Sequence, residues 1–386
     1  WRSSMRYLLM TMLVVLVSRA SIEAGADTPG FGEVGSYPVE QYQIEVFADG
    51  LDSPWDISWL QNGDILVSER GGELRLIRDG ILLNVTVAGV PDVYTRSQAG
   101  LFEVQAHPRF EENGWVYLTY AHGTNRRNTL RLARARYIPT DEGAKLEDLS
   151  LLFEADAFRS SAAHYGGRFV FLPDETILLT SGEGYAYRHE AQRLDSHFEK
   201  TLRLTDAGKP PADNPFFDVA GALPEIWSFG HRNHQGIVLA SEGIVYSNEH
   251  GARGGDEINI IKPGANFGWP LVTWGVDYSG AQISPYAETA GTEQPILHWT
   301  PSIAPASLMY YTGDAFPEWK GLLFSAALAT RELRVVDPAE PGVTQFSLLK
   351  ELDVRIRDVA MGPDVNIYVL TEGADGGQVL KITPNA

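Results

Sequence analysis

A unit of two apolar strands joined by a turn recurs six times along the chain. The first strands of the six copies are expected at residues 55–60, 100–104, 167–171, 235–239, 306–310 and 357–361. The turn of the first copy contains Asn62-Gly63, which is a strong hairpin signal. Short strands in repeated units, with no helices between them, are typical of blades arranged around an axis. The sequence therefore predicts an all-β fold: a single six-bladed β-propeller with four-stranded antiparallel blades around a central channel, over residues 41–386.

The N-terminal region has the features of an export signal. Arg6 precedes an apolar run at residues 7–17 that is too short to span a bilayer, and a small-residue cleavage pattern follows it. We expect a signal peptide at residues 1–26, with translation starting at Met5, and a linker at residues 27–40. The protein is then expected to be periplasmic or secreted, and an uncleaved anchor is the alternative. No later segment is apolar for long enough to predict stable membrane insertion.

Charge and cysteine content exclude two classes of chemistry. The formal net charge is −19, which argues against a nucleic-acid partner because binding to phosphates requires clustered Lys and Arg. The chain has no cysteine, so it forms no disulfide and offers no thiol as a nucleophile or metal ligand. Packing and hard metal ions remain as sources of stability.

Two arginine-containing motifs could bind an anion. Arg232 and Asn233 follow one another between two predicted blades, and together they offer donors and an acceptor for carboxylate or quinone oxygens. Arg355 and Arg357 project from the same side of an extended segment, because side chains alternate along a strand. The alternatives are an arginine that bonds backbone carbonyls between blades and two solvated arginines with Asp358 as their partner.

Two further motifs suggest a metal and a base. Residues 249–259 combine glycines, which let carbonyl groups turn toward one point, with carboxylates, as a calcium ion requires. His164 stands next to Gly166 and Gly167 at the start of a predicted strand, where a titratable imidazole could act as a base. An acidic glycine-rich turn and a structural histidine are the alternatives.

Taken together, these motifs resemble those of the soluble pyrroloquinoline quinone (PQQ)-dependent glucose and aldose sugar dehydrogenases. The similarity runs from about Tyr42 to the C-terminus. The runs found in the family's order are Gly230-His231-Arg232-Asn233, Glu249-His250-Gly251, Arg253-Gly254-Gly255-Asp256-Glu257-Ile258-Asn259, Asn266-Phe267-Gly268-Trp269-Pro270, Pro301-Ser302-Ile303-Ala304-Pro305 and Arg355-Ile356-Arg357-Asp358-Val359. Their combination is specific, although no single run is.

The resemblance implies an enzyme that oxidises aldose sugars at the anomeric carbon to lactones and depends on PQQ and calcium. It implies that His164 is the general base, which takes the proton of the anomeric hydroxyl as hydride passes to the quinone. Glu183 would orient His164 and stabilise its imidazolium, and Arg232 would complete the catalytic set. The electrons would pass to a soluble or membrane acceptor, either a quinone or a cytochrome.

The resemblance also implies cofactor and metal ligands. The residues that match cofactor contacts are Gln98, Arg232, Asn233, Tyr278, Arg355 and Arg357. The carbonyls of Gly251 and Ala252 match ligands of a calcium ion that touches the quinone, while Glu257 and the carbonyl of Phe267 match a second, structural calcium site.

Three positions depart from the family's pattern. A lysine that pairs with the cofactor is expected at about Ala329, and only Arg331 lies nearby in sequence. Ala163 replaces a polar residue, and Ala252 replaces a proline.

Two other functions remain open from the sequence. One is a calcium-dependent lactonase or related propeller hydrolase, in which the metal activates water and His164 relays protons. The other is a non-catalytic sugar-binding propeller, which the absent lysine suggests. Substrate choice is expected to lie in long loops, predicted at residues 190–218 and 275–300.

Overall fold

The computed structural model of the protein describes residues 34–342, 344–373 and 376–385. The predicted signal peptide at residues 1–26 and the first part of the predicted linker lie outside these ranges. None of the helices in the described part of the chain is long and apolar enough to cross a membrane.

Strands dominate the described residues and form six sheets. The first two strands are β1 (Gly35–Ser36) and β2 (Tyr42–Leu51). Blade 1 consists of β3 (Pro54–Trp59), β4 (Ile65–Glu69), β5 (Leu74–Arg78) and β6 (Ile81–Thr86). Blade 2 consists of β7 (Leu101–Ala106), β8 (Trp115–Thr124), β9 (Arg127–Pro139) and β10 (Ala144–Glu154). Blade 3 consists of β11 (Gly166–Phe171), β12 (Ile177–Ser181), β13 (Lys200–Leu204) and β14 (Ile226–Phe229).

The second half of the chain forms the remaining blades. Blade 4 consists of β15 (His234–Leu239), β16 (Val245–Glu249), β17 (Asp256–Ile260) and β18 (Leu297–Trp299). Blade 5 contains β19 (Pro305–Tyr310), β20 (Leu323–Ala327), β21 (Glu332–Val336) and β22 (Gln345–Leu348). Blade 6 contains β23 (Arg355–Met361), β24 (Ile367–Glu372) and β25 (Gly377–Pro384). The helical segments are α1 (Phe110–Asn113) and the 3-10 turns Val39–Gln41, Arg188–Glu190, Ser241–Gly243, Pro317–Trp319 and Lys350–Leu352.

The blades form a closed ring. The innermost strands contact one another in the order β3, β7, β11, β15, β19 and β23, and β23 contacts β3 again. Strand β2 is the outermost strand of blade 6 and pairs antiparallel with β25, so an early strand and the last strand of the described chain share one sheet. The predicted six-bladed propeller with four-stranded antiparallel blades is therefore confirmed. One strand is additional: β1, within the predicted linker, pairs in parallel with β22 of blade 5.

The predicted loop at residues 190–218 is wrong in part, because it contains β13. All five residues of this strand are buried, although Lys200 is one of them. The Lys200 ammonium donates hydrogen bonds to the carbonyls of Glu190 and Ala191 at 3.1 Å each. Backbone oxygens thus replace water around the charge, and a lysine lies inside a buried strand. The loop predicted at residues 275–300 is correct apart from β18 near its end.

Aromatic rings fix the packing of blades 1, 2 and 3 at the innermost strands. The Phe102 ring lies 5.3 Å from the Trp55 ring and 5.5 Å from the Tyr165 ring, measured between centroids. Gly167 has a φ of 92°, and a Cβ atom there would lie 2.8 Å from the Phe102 ring. Glycine is therefore required at residue 167, because it allows β11 to approach Phe102.

A buried cluster of charged side chains joins the innermost strands. The Arg168 guanidinium lies 2.8 Å from Asp56 Oδ1 and 3.2 Å from Asp358 Oδ1, and all three side chains are buried. The other oxygens of the two carboxylates accept backbone hydrogen bonds, from Val104 to Asp56 at 3.1 Å and from Ile57 to Asp358 at 2.9 Å. These contacts connect β3, β7, β11 and β23, which belong to four different blades.

A third carboxyl group beside this cluster predicts a pH dependence of stability. Burial raises the pKa of Glu103 from 4.5 to about 7, against the opposing charge of Arg168. Since the folded protein holds this proton more tightly than the unfolded chain, the free energy of unfolding should fall as the pH rises from about 4.5 to about 7. In Glu103→Gln the fall between pH 5 and pH 8 should be smaller by roughly 2 kcal/mol, as measured by urea denaturation.

The control for this measurement is Glu142→Gln, at an exposed position, which should keep the wild-type pH dependence. Equal slopes for Glu103→Gln and the wild type would show that the Glu103 proton does not contribute.

Candidate active site

His164 and Glu183 form a buried pair at the start of β11. His164 Nδ1 lies 3.0 Å from Glu183 Oε1, and the two residues are 4% and 2% exposed. The backbone N–H of His164 donates to Gln98 Oε1 at 2.9 Å, while its carbonyl accepts a hydrogen bond from Arg159 Nη1 at 2.6 Å. These two contacts hold His164 at a φ of 53°. The predicted base and its predicted partner are therefore in direct contact.

The surroundings of His164 favour a neutral imidazole. Burial lowers the pKa of His164 below 6.5, and the charge of Arg232 lowers it further, although the hydrogen bond to Glu183 opposes both effects. Because a carboxylate can only accept, the proton of the neutral ring lies on Nδ1 and points at Glu183. The lone pair of Nε2 is then available to accept a proton, as a general base requires.

A second buried carboxyl group shares a donor with Glu183. Trp269 Nε1 lies 3.2 Å from Glu183 Oε2 and 3.0 Å from Glu199 Oε1. Burial and the negative charge of Glu183 raise the pKa of Glu199 well above its ordinary value. Glu199 therefore holds its proton more strongly than an ordinary glutamate does.

Arg232 lies beside the same carboxylate. Its Nε is 3.3 Å from Glu183 Oε1, and its guanidinium carbon is 5.3 Å from the centre of the Trp269 ring. The Arg232 Nη1 group donates to the carbonyl of His250 at 3.0 Å and also to the carbonyl of Gly251. The three predicted catalytic residues are thus brought together. The positive charge of Arg232 lies next to the Glu183 carboxylate.

Four of the six predicted cofactor residues line one cavity of about 200 Å³. They are Gln98, Asn233, Arg355 and Arg357. We call this space the cofactor cavity, and its other walls include Trp55, Phe102, Tyr165 and His250. It therefore combines aromatic surface with amide and guanidinium donors.

Arg355 and Arg357 are held by a carboxylate that the sequence did not predict. The Nε atoms of the two arginines lie 3.1 Å and 2.9 Å from the two oxygens of Glu372. Asp358, which follows them in sequence, is instead paired with Arg168. One negative charge thus fixes two guanidinium groups on the same wall of the cofactor cavity.

Tyr278 and Arg232, the other two predicted cofactor residues, line a separate cavity of about 240 Å³ together with Glu183. Tyr185 lies on the same cavity, with its ring 5.5 Å from that of His164 and 6.4 Å from that of Tyr278. Both tyrosines are more than half exposed. An open space with aromatic walls therefore lies directly beside the candidate base.

One of the two predicted ligands of a quinone-bound calcium ion already accepts a hydrogen bond. Ala252 lines the same 240 Å³ cavity, but the Gly251 carbonyl accepts a hydrogen bond from the Arg232 guanidinium. A calcium ion at Gly251 would share that oxygen with a second positive charge.

The predicted structural calcium ligands lie together. Glu257 and Phe267 line a cavity of about 20 Å³, together with Glu249. Burial and the charges of Glu249 and Asp256 raise the pKa of Glu257 to about 8. Arg232 also lines this cavity, but no Lys, Arg or His forms an ion pair with Glu257 in the described part of the chain.

Arg331 does not take the place of the lysine that is expected at about Ala329. The Arg331 guanidinium pairs with Asp353 at 2.9 Å, and its side chain is 48% exposed. It lines a neighbouring cavity of about 560 Å³, which Arg355 borders as well, and it is not part of the cofactor cavity.

Comparison with known proteins agrees with this geometry. A sequence profile of the glucose/sorbosone dehydrogenase family matches residues 51–381. The chain belongs to this family.

Two relatives in the family have informative names. The aldose sugar dehydrogenase of Escherichia coli is 40% identical over 88% of this chain and 92% of its own length. The crystal structure of that soluble enzyme in its apo form superimposes with a TM-score of 0.84 at 38% identity, over 89% of this chain and all of the other. The PQQ-bound aldose sugar dehydrogenase of Streptomyces coelicolor is 25% identical with a TM-score of 0.73, over 90% of this chain and all of the other.

Three residues of this site were not predicted from the sequence: Trp269, Glu199 and Glu372. Trp269 lies in one of the quoted runs, but its indole was given no function. Glu199 and Glu372 are single carboxylates without a local motif. The pairing of β23 with β24 places Glu372 opposite Arg355. A correct prediction of this strand register would therefore have identified Glu372.

The shared indole donor predicts a specific loss of stability. In Trp269→Phe, Glu183 and Glu199 lose their common hydrogen bond while remaining buried, which should lower the free energy of unfolding by roughly 2 kcal/mol. Trp274→Phe is the matched control, because the Trp274 Nε1 group has no hydrogen-bond partner within the described residues. Urea denaturation of both variants measures the difference, and equal losses would contradict the proposed role of the indole.

Proposed function

We propose that this protein is a PQQ- and calcium-dependent dehydrogenase that oxidises aldose sugars at the anomeric carbon to lactones. The observation that carries the proposal is the buried contact between His164 and Glu183, which orients a neutral imidazole as a base. The names of the Escherichia coli and Streptomyces coelicolor relatives support the reaction and the cofactor. The quinoprotein glucose dehydrogenase B of Acinetobacter calcoaceticus, 26% identical over 97% of this chain and 95% of its own length, supports them too.

The donors of the cofactor cavity fit PQQ, which is flat and carries quinone oxygens and carboxylates. Gln98 Oε1 accepts a hydrogen bond from His164, and Asn233 Oδ1 accepts one from Gly166 at 3.3 Å. Their amide nitrogens have no partner among the described residues and are free to donate to a ligand. Arg355 and Arg357 add positive charge, which attracts carboxylates. When bound, PQQ would supply the two-electron acceptor for the oxidation.

The chain itself supplies the proton chemistry. His164 Nε2 accepts the proton of the anomeric hydroxyl, and the imidazole becomes positively charged. The Glu183 carboxylate, 3.0 Å from Nδ1, stabilises that charge. Because burial lowers the pKa of His164, the ring is neutral before the reaction and releases the proton afterwards. Arg232 and Trp269 contact the Glu183 carboxylate and hold it in place.

For the structural calcium ion we propose the small cavity that Glu257 and Phe267 line, beside Arg232. Calcium binds carboxylate and carbonyl oxygens, and this cavity offers both around a space of about one ion. The positive charge would compensate the buried Glu257 and Glu249 carboxylates. We also propose the second ion at Gly251 and Ala252, but Arg232 would have to share or release the Gly251 carbonyl, and we assign no step to that ion.

The proposal extends to the protein's surroundings. We propose that the electrons pass to a soluble or membrane acceptor, a quinone or a cytochrome, and that the enzyme acts in the periplasm or outside the cell. The features that support export are Arg6 and the apolar run at residues 7–17.

The decisive experiment is an absorbance titration of metal-free, cofactor-free protein with PQQ and calcium, followed by a panel of aldoses. Cofactor reduction by an aldose is expected. His164→Ala should lower turnover by at least about 100-fold, because it removes the base, while PQQ still binds. His189→Ala, which changes an exposed histidine, should keep full turnover.

Three results would contradict the proposal. They are the absence of PQQ binding, hydrolysis of a sugar lactone without PQQ, and sugar binding that leaves the bound cofactor oxidised. The second result would favour a hydrolase, and the third would favour a non-catalytic sugar-binding protein.

Calcium should stabilise the protein through Glu257. Adding calcium to protein treated with a chelator should raise the melting temperature by roughly 5 °C, because only the folded chain presents the site. Glu257→Gln should remove most of that rise, whereas Glu288→Gln, at an exposed position, should keep it. Differential scanning calorimetry measures the shift, and an unchanged response in Glu257→Gln would exclude this carboxylate as a ligand.

A further inference from the structure

Arg70 lines the cofactor cavity, but neither the motifs nor the resemblance assigned it a role. It directly follows β4 and borders two neighbouring spaces, the cofactor cavity and the 560 Å³ cavity that Arg331 lines. Both cavities also include Arg355, so Arg70 and Arg355 stand on a wall that the two spaces share.

The backbone of Arg70 is tightly positioned. Its N–H donates to the carbonyl of Ser53 at 3.0 Å. Gly100 packs directly against it, and a Cβ atom at residue 100 would lie 2.2 Å from the Arg70 carbonyl oxygen and 2.5 Å from its Cγ. A glycine at residue 100 is therefore needed for β7 to approach Arg70, and the base of the side chain is fixed beside the cavities.

The head of the side chain is unpaired, in contrast to the nearby arginines. Arg355 and Arg357 each contact Glu372, and Arg331 contacts Asp353. The guanidinium of Arg70 forms no hydrogen bond or ion pair with any residue in the described ranges, and the residue is partly exposed. Among the described residues it is therefore the arginine of this group whose entire guanidinium is without a protein contact, whereas Arg355 and Arg357 use their Nε groups to contact Glu372.

The charges around Arg70 favour an anionic ligand. Three guanidiniums, those of Arg70, Arg355 and Arg357, face one carboxylate, Glu372. Burial lowers the pKa of Arg357, and the nearby charges of Arg355 and Arg70 lower it further. The same three positive charges lower the pKa of Glu372 against the effect of burial. The wall therefore keeps an excess of positive charge that a carboxylate would neutralise.

We propose that Arg70 binds a carboxylate group of the planar cofactor at the edge of the cofactor cavity. The inference rests on the proposed function, since it takes PQQ as the ligand. It assigns the anion contact on this wall to Arg70 and not to Arg331, whose guanidinium is paired, half exposed and outside the cofactor cavity.

The test compares two ligands and matched arginine variants. PQQ and its uncharged trimethyl ester are titrated into the calcium-loaded protein, and binding is followed by calorimetry and absorbance. Arg70→Gln should raise the Kd for PQQ by roughly 10- to 100-fold, because a charge-assisted contact is lost. Arg70→Lys should recover part of the loss, and Arg331→Gln should bind PQQ like the wild type. The ester should bind Arg70→Gln and the wild type equally well.

Folding is controlled separately. Because Arg70 has no partner in the described chain, its variants should melt within about 2 °C of the wild type. Arg70→Met serves as a second neutral variant for the titration. A wild-type Kd for PQQ in both neutral variants would overturn the proposal, and so would an equal loss of affinity for PQQ and for the ester. Failure of the wild type to bind PQQ would instead overturn the proposed function itself.

Discussion

The buried contact of Arg168 with Asp56 and Asp358 is the interaction on which the rest of the structure depends. It links innermost strands of blades 1, 3 and 6, and the Arg168 Nε group also donates to the carbonyl of Gln235 in blade 4 at 2.9 Å. A charge buried in this way is costly unless its partners are fixed. The cluster therefore favours one arrangement of the blades over others that would leave a carboxylate unpaired.

Two groups of the candidate site lie close in sequence to residues of this cluster. Arg168 belongs to β11, and His164 lies just before that strand. Arg357 immediately precedes Asp358 in β23 and points into the cofactor cavity. In both β11 and β23, a residue of the buried charged cluster thus lies within four positions of a residue of the candidate site. The distance between the candidate base and the wall that contains Arg355 and Arg357 is in this way tied to the packing of the ring.

The sequence predicted the ring well because each blade repeats the same local signals. The six predicted first strands overlap the six innermost strands, and residues such as Gly167 are explained by close packing between blades. Strand β13 was missed because it lies in a segment rich in Pro and Asp, and no local pattern reveals that Lys200 is buried against backbone carbonyls. The contact of His164 with Glu183 followed from the resemblance, but Glu199 and Glu372 did not, since their partners lie far away in the sequence. Pairing across the ring, and not local propensity, decides where such residues lie.

The pairing of β2 with β25 has a consequence for how the protein acquires its site. During synthesis β2 leaves the ribosome early, whereas β25 is among the last segments to follow. The loop between them contains the other five blades, so its closure must wait until almost the whole chain is available. Arg355, Arg357 and Glu372 belong to this final blade. A chain that has not yet joined its two ends therefore lacks one wall of the cofactor cavity, and that cavity is completed together with circular closure of the fold.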